Sequence, residues 1–274
     1  MNSEVERVVV TLDAASESQP AIDTAARLAA RVKAALHGVF VEDEDLWHLA
    51  ALPFACQVST GAGMQPLTPD RIEPHWRAAA ERARREIAAA AERHHITWSF
   101  AVMRGSTTAA LSCASEHDLV VAAALTRPIA GHFRVAARWW SSLEGASSTI
   151  LLARRSWAAS GSVVVMLRDR SARSARLLDA AASIAEAKDA ALVVICEPRL
   201  AGSEGFEAWL DAQLAPHSAR LDIEIAAGDG EEVHQRLSRS DCGLLAVEVD
   251  NAEGGSGRLR ASFEHLGCDL LIVR

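Results

Sequence analysis

Paired cysteines, long apolar runs and a surplus of positive charge are all missing from this 274-residue chain. Its five cysteines, at positions 56, 113, 196, 242 and 268, form an odd set with no CxxC pair. That pattern argues against a disulfide framework and a zinc site. Four of the five lie in apolar or alanine-rich surroundings, so they read as structural thiols. The longest apolar runs, such as residues 119–125, fall far short of the roughly 20 residues that a spanning helix needs. The opening MNSEVERVVV lacks the basic-then-apolar order of a secretory signal. A cytoplasmic protein without a membrane partner is therefore expected. The formal net charge is −8, from 28 basic and 36 acidic side chains. This argues against nucleic acid, because duplex affinity rests on neutralising phosphates with Lys and Arg. No His/Cys/Asp/Glu cluster has metal-ligand spacing, and no Ser sits in a GxSxG elbow, so that class of hydrolase lacks support.

What is present is a soluble, globular composition, 50% hydrophobic and 23% charged, in a chain long enough for two domains. Residues 7–13 (RVVVTLD) form a continuous apolar run ending in an acid, as in a strand buried on both faces of a parallel sheet. Ser16 and Ser18 can cap a helix carrying Ile22, Ala25, Ala26, Leu28, Ala29 and Val32 at helical spacing. Residues 35–41 (ALHGVFV) give the next strand, which completes a βαβ opening. Between 42 and 70 the period is lost. A short helix over 46–52 is predicted there, with loop elsewhere, and a loop of this length is a lid, a binding element or a mobile segment. A long helix over 71–94 follows, then a strand over 96–104, a turn at Gly105 and a helix to His117 capped by Ser106 or Thr107. A buried strand (119–125), an irregular loop, a helix around Trp139-Trp140 and a closing strand (149–153) end the first half.

After residues 157–161 (WAASG), a linker by composition, the pattern starts again. With a shift of 156, Asp13 falls on Asp169, Asp23 on Asp179, Leu28 on Ile184 and Leu36 on Leu192, which points to an internal duplication. Keeping Asp169 against Asp13 requires one inserted residue, and the bulky Arg168 beside it could obstruct a pocket. Asp118-Leu119-Val120-Val121 and Cys242-Gly243-Leu244-Leu245 fall in equivalent places. The predicted domains are 1–156 and a shorter 157–274.

A strand ending in Asp before a Ser-containing turn (VVVTLDAASES) is followed by a strand ending VFVED and a Gly after the third strand (VMRG, repeated as IAAGDG). A DLVV strand and a closing apolar strand complete the set. In this order, twice over, the chain resembles the universal stress protein family in its tandem form. The resemblance implies an α/β fold of two Rossmann-like domains, each a five-stranded parallel sheet with helices on both faces. It also implies an intramolecular pseudodimer, joined through the last strands, 149–153 and 270–273.

ATP-binding members carry Gly-x2-Gly-x9-Gly-Ser/Thr after the fourth strand, where glycines let backbone amides reach the phosphates at a helix N-terminus. Here the set is degenerate. In the first half Ala136-Ala137 stand where Gly-Ser belongs, and only Gly131 remains, beside Arg127, His132 and Arg134. In the second half, residues 250–257 hold glycines at the wrong distance, with Asp250 and Glu253 to repel phosphate.

By resemblance Asp13 matches the acid near the adenosine end of the pocket, and Val41 the residue whose backbone touches adenine. Asp13 also fits a plain helix cap or strand end. Arg127 and Arg134 can bind phosphate through side-chain charge or form a solvated loop. Trp139-Trp140 reads as packing, and His94-His95 as a helix end. The expected function is a stress-linked binding or scaffolding role rather than catalysis, with ATP binding lost or weak, no cofactor and an unknown protein partner, in a chain that can also form homodimers. The alternative keeps a nucleotide site for ATP, ADP or AMP in the first half, built from Asp13, Val41, Gly105, Arg127 and Gly131, with slow hydrolysis at most. A third possibility is a small molecule or partner segment enclosed by residues 43–69.

Overall fold

The computed structural model describes residues 5–14, 18–59, 63–115, 117–123, 148–153, 161–217, 221–225, 241–248 and 268–273. In the first half β1 (Arg7–Leu12) leads through α1 (Ser18–Val32) to β2 (Ala35–Asp43), giving the expected βαβ opening. An insertion follows, made of α2 (Glu44–Ala50) and an antiparallel hairpin, β3 (Cys56–Ser59) with β4 (Gly63–Pro66). The long helix α3 (Pro69–His94), β5 (Trp98–Gly105), α4 (Thr107–Ser112), β6 (Asp118–Ala123) and β7 (Thr149–Ala153) complete the half. The second half runs β8 (Ser162–Leu167), α5 (Ala172–Lys188), β9 (Leu192–Cys196), α6 (Pro198–Ala201), α7 (Phe206–Leu214), β10 (Leu221–Ile225), β11 (Cys242–Glu248) and β12 (Asp269–Val273).

Ten strands form one sheet in the order β10-β9-β8-β11-β12-β7-β6-β1-β2-β5. Each set of five is parallel and follows the order 3-2-1-4-5 of a doubly wound fold. Between the sets, β12 runs antiparallel to β7, with Leu271 opposite Leu151 and Ile272 opposite Ile150. These are the two strands that the resemblance names as partners. Both are wholly apolar apart from Thr149 and Asp269, and both are buried, as a strand covered on two faces must be.

The larger core lies on the side of α1, α3 and α5 and continues through both halves, from Val8 to Val273. On the other side, a smaller core gathers Val9, Val41 and Leu111 with Leu245 and Ile272. The buried stripe of α1, Ala21, Ile22, Ala25, Ala26, Leu28 and Ala29, maps with the expected shift of 156 onto Leu177, Leu178, Ala181, Ala182, Ile184 and Ala185 of α5. Helix α3 comes so close to β2 that a Cβ on Gly38 would sit 2.2 Å from Ile87 Cδ1. A larger residue there would have to push the Ile87 and Phe100 side chains aside.

Some expectations change. The 42–70 stretch is not mostly loop, because Cys56–Ser59 and Gly63–Pro66 pair across it and α2 starts at Glu44, where Asp43 accepts from the amides of Asp45 and Leu46. Helix α4 is capped by Ser106, which accepts from the Ala109 amide, and it ends at Ser112 rather than 117. Cys56 and Cys113 are exposed, whereas Cys196, Cys242 and Cys268 are the buried thiols. His95 closes α3 in a left-handed C-cap, the helix-end role expected for it. The segments holding Trp139-Trp140, the loop glycines and the 157–160 linker lie outside the described residues.

Candidate functional site

In a doubly wound sheet, ligands bind outside the carboxyl ends of the strands where the strand order reverses. In the first half the reversal falls between β1 and β6. Asp13 follows β1 directly and so stands at that point. Val41 and Gly105 lie at the carboxyl ends of β2 and β5, where Val41 aligns with Met103 and Asp43 with Gly105. Three of the five candidate residues are therefore brought to one edge of the sheet. Arg127 and Gly131, which would close the site, lie outside the described residues.

The three do not share one surface. Successive residues of a strand point to opposite faces, so Phe40 and Val41 part company. Phe40 packs in the larger core and Val41 in the smaller. Beside Asp13 a cleft of about 580 Å³ opens between α1 and α3, with Phe40 in its wall. Its charged lining is Asp13, Asp23, Arg82 and Glu86, three carboxylates to one guanidinium. Asp23 is bound by Arg93 at 3.0 Å, and the Ser18 hydroxyl donates to Glu86 at 3.4 Å. With Arg93 on Asp23 the groups at the cleft come to three carboxylates and two guanidiniums, and among the described residues no cluster of positive charge lines it for a phosphate.

Arg104 also stands at this edge, and the sequence reading passed it over. Its guanidinium donates twice to Glu42, at 3.1 and 3.0 Å, and lies 4.3 Å from the centre of the Trp47 ring. Trp47 in turn packs on Trp76 of α3, 6.1 Å between ring centres. The arginine is thus a strut that holds α2 over the ends of β2 and β5. Partners from three elements separated in sequence make such a strut invisible to spacing alone.

The corresponding edge of the second half has a different chemistry. By register, Leu12 opposite Phe40 corresponds to Leu167 opposite Cys196. The residue after β8 that takes the place of Asp13 is therefore Arg168, and Asp169 comes one position later. The inserted residue that the alignment requires sits in this turn. Asp169, itself exposed, lies over the first turn of α5, where the hydroxyl of the buried Ser174 is 2.7 Å from its Oδ1 and the Ser171 amide donates to it at 2.8 Å. The hydroxyl and amide of Ser171, and then Ser174, hold the Asp169 carboxyl below its ordinary pKa. From the end of β11, Glu248 reaches the same Ser174 hydroxyl. Two carboxylates thus converge on the first turn of α5. Register places Glu248 where the first half has Ala123.

Comparison with solved structures adds a finding on the fold. A universal stress protein from Archaeoglobus fulgidus superposes over 99% of this chain and 97% of its own, with a TM-score of 0.66 at 11% identity. The chain has the universal stress protein fold. A putative universal stress protein from Pseudomonas aeruginosa matches over 98% of this chain and 93% of its own, with a TM-score of 0.60 at 13% identity. The chain also matches the cytoplasmic domain of a prokaryotic cation chloride cotransporter, over 98% of this chain and 94% of that one, with a TM-score of 0.52 at 12% identity. No protein-family model matches the sequence, and neither does any curated protein. Among the described residues no helix is long and apolar enough to cross a membrane, and no group of three or more His, Cys, Asp or Glu residues could hold a metal ion.

Proposed function

We propose that the chain is a tandem universal stress protein, with domains at 1–156 and 157–274, that serves as a cytoplasmic, stress-linked binding or scaffolding protein in which ATP binding is lost or weak. The observation that carries this reading is the carboxylate at each ligand edge. Asp13, Asp23 and Glu86 surround the cleft of the first half, and Asp169 and Glu248 occupy the first turn of α5 in the second. A helix N-terminus attracts anions, and in the second half the protein supplies its own. The absence of the family's glycine set points the same way.

A second reading is favoured by one arrangement. Asp13, Val41 and Gly105 reach the same carboxyl edge, and Asp13 stands at the reversal of strand order. On this reading the first half holds ATP, ADP or AMP with Arg127 and Gly131, and hydrolyses ATP slowly at most. Calorimetric titration with the three nucleotides separates the two. The scaffolding reading expects no saturable heat in the micromolar range. Micromolar ATP binding that Asp13→Ala abolishes would overturn it.

A further inference from the structure

Among the described residues, large apolar side chains stand exposed at Leu49, Leu52, Phe54, Val58, Met64 and Val102. All but Val102 belong to the insertion between β2 and α3, for which the described residues of the second half show no counterpart hairpin. The hairpin itself is the anomaly. Directly paired residues share a face, so Cys56 with Pro66 and Val58 with Met64 line one side of it. All four are exposed, Val58 at 82% and Met64 at 74%. The alternate positions are polar, and one of them, Gln65, is half-buried and accepts from Arg71 Nη1 at 2.9 Å. An antiparallel ribbon ordinarily turns its apolar face to the core and its polar face to water. Here the apolar face stands in water, as do Gln57 and Gly63 of the other face, while Ala55 and Leu67 at the base are buried and anchor the ribbon through the Leu67 amide to the Ala55 carbonyl, 2.8 Å. A two-stranded ribbon with a bare apolar face is marginal in water by itself.

We propose that this face is covered by the same face of a second copy of the chain, the two hairpins packing face to face about a two-fold axis. Charge selects that occupant. From Leu49 to Pro69 the sequence has no charged side chain and no histidine, in a chain whose net charge is −8. Elsewhere two copies meet as like-charged bodies, and at this surface they do not. A bilayer surface would call for basic residues around the apolar ones, and a partner read by its charge would find nothing to read. A two-fold contact needs only a patch that complements itself, which an apolar face with no charged side chain of its own does. The pairing adds a contact between chains and leaves the β7–β12 joint within each chain untouched.

Sedimentation equilibrium of the full chain, from low to high micromolar concentration, tests the proposal. The expected result is a mass that doubles with concentration, and a Val58→Asp/Met64→Asp variant whose dimer dissociation constant rises by roughly 100-fold. Both positions are exposed, so circular dichroism and melting of that variant should match the parent. A short bis-maleimide should join two copies through Cys56, because stacked sheets lie about 10 Å apart. That product should vanish in Cys56→Ser and persist in Cys113→Ser. A monomeric mass at every concentration overturns the proposal, as does dimerisation that the double variant leaves unchanged. Binding of a monomeric chain to phosphatidylcholine vesicles through these residues would also overturn it and assign the face to lipid.

Discussion

At the amino ends of their central strands the two halves meet the same packing demand with different chemistry. In the first half, Arg7 at the start of β1 donates from Nε and Nη2 to Asp118 at the start of β6, at 3.0 and 2.7 Å. Asp118 also accepts from the Ser115 amide at 2.8 Å, and its side chain is wholly buried. In the second half the register pairs Ser162 with Cys242 at the same place, and a bulge inserts Gly243 before Leu244. Gly161 then presses against Gly243, so closely that a Cβ on Gly161 would lie 2.6 Å from the Gly243 nitrogen. One half is fastened by a charge pair and the other by the absence of side chains. Duplicated folds can keep their geometry while exchanging the forces that hold it, because strand register constrains backbone spacing and leaves the chemistry of the fastening free.

That contrast can be broken from either side. Gly161→Ala should have the largest effect, since the new methyl meets backbone on every side and φ of +132° suits glycine alone. A loss of about 3 kcal/mol in urea unfolding is expected, whereas Glu6→Ala at the matching place in the first half should change little. Arg7→Ala comes next. It strands a buried carboxylate, and because Arg7 itself is 44% exposed the expected loss is about 2 kcal/mol rather than the full cost of a buried pair. This loss should depend on pH. Burial alone would raise the pKa of Asp118, but the hydrogen bonds from Arg7 and Ser115 outweigh it and hold the carboxyl below its ordinary 3.8. A depressed carboxylate contributes its full stability above the unfolded value and loses it as pH falls through the folded one. Without Arg7 the buried carboxyl of the variant titrates higher than in the parent, so the gap should be constant above both folded values and close as pH falls from the variant's to the parent's, as unfolding curves at successive pH values would show. Smallest is Arg31→Ala, which removes the ion pair to Glu186 that links α1 to α5 across the halves. With Arg31 half exposed, about 1 kcal/mol or less is expected by the same measurement.

The extent to which the sequence shows these features follows from their range. The helices were legible because their apolar stripes have a period, and the shift of 156 survives residue for residue in the buried faces of α1 and α5. The central strands were less so. An uninterrupted VVV run has no phase, so the equivalence of Asp13 with Asp169 looked closer than the register makes it, and the bulge at Gly243 slides Leu119 onto Leu244 rather than onto Gly243. The 56–66 hairpin was read as loop because four-residue strands with outward apolar positions carry none of the usual burial signal. Of the candidate site, the placement of Asp13, Val41 and Gly105 at the strand ends followed from spacing. The roles of Arg104 and Glu248 did not, since Arg104 and Glu42 are separated by 62 positions and Ser174 and Glu248 by 74.

The antiparallel joint between β7 and β12 has a consequence for whatever the chain binds. In the ten-stranded sheet, every strand of the first half runs with β7 and every strand of the second with β12. Reversing one set against the other makes their mouths open at opposite borders of the sheet, with the length of the strands between them. The two carboxyl edges of the sheet thus lie at its opposite ends, and a site built at one of them shares no strand end with the other.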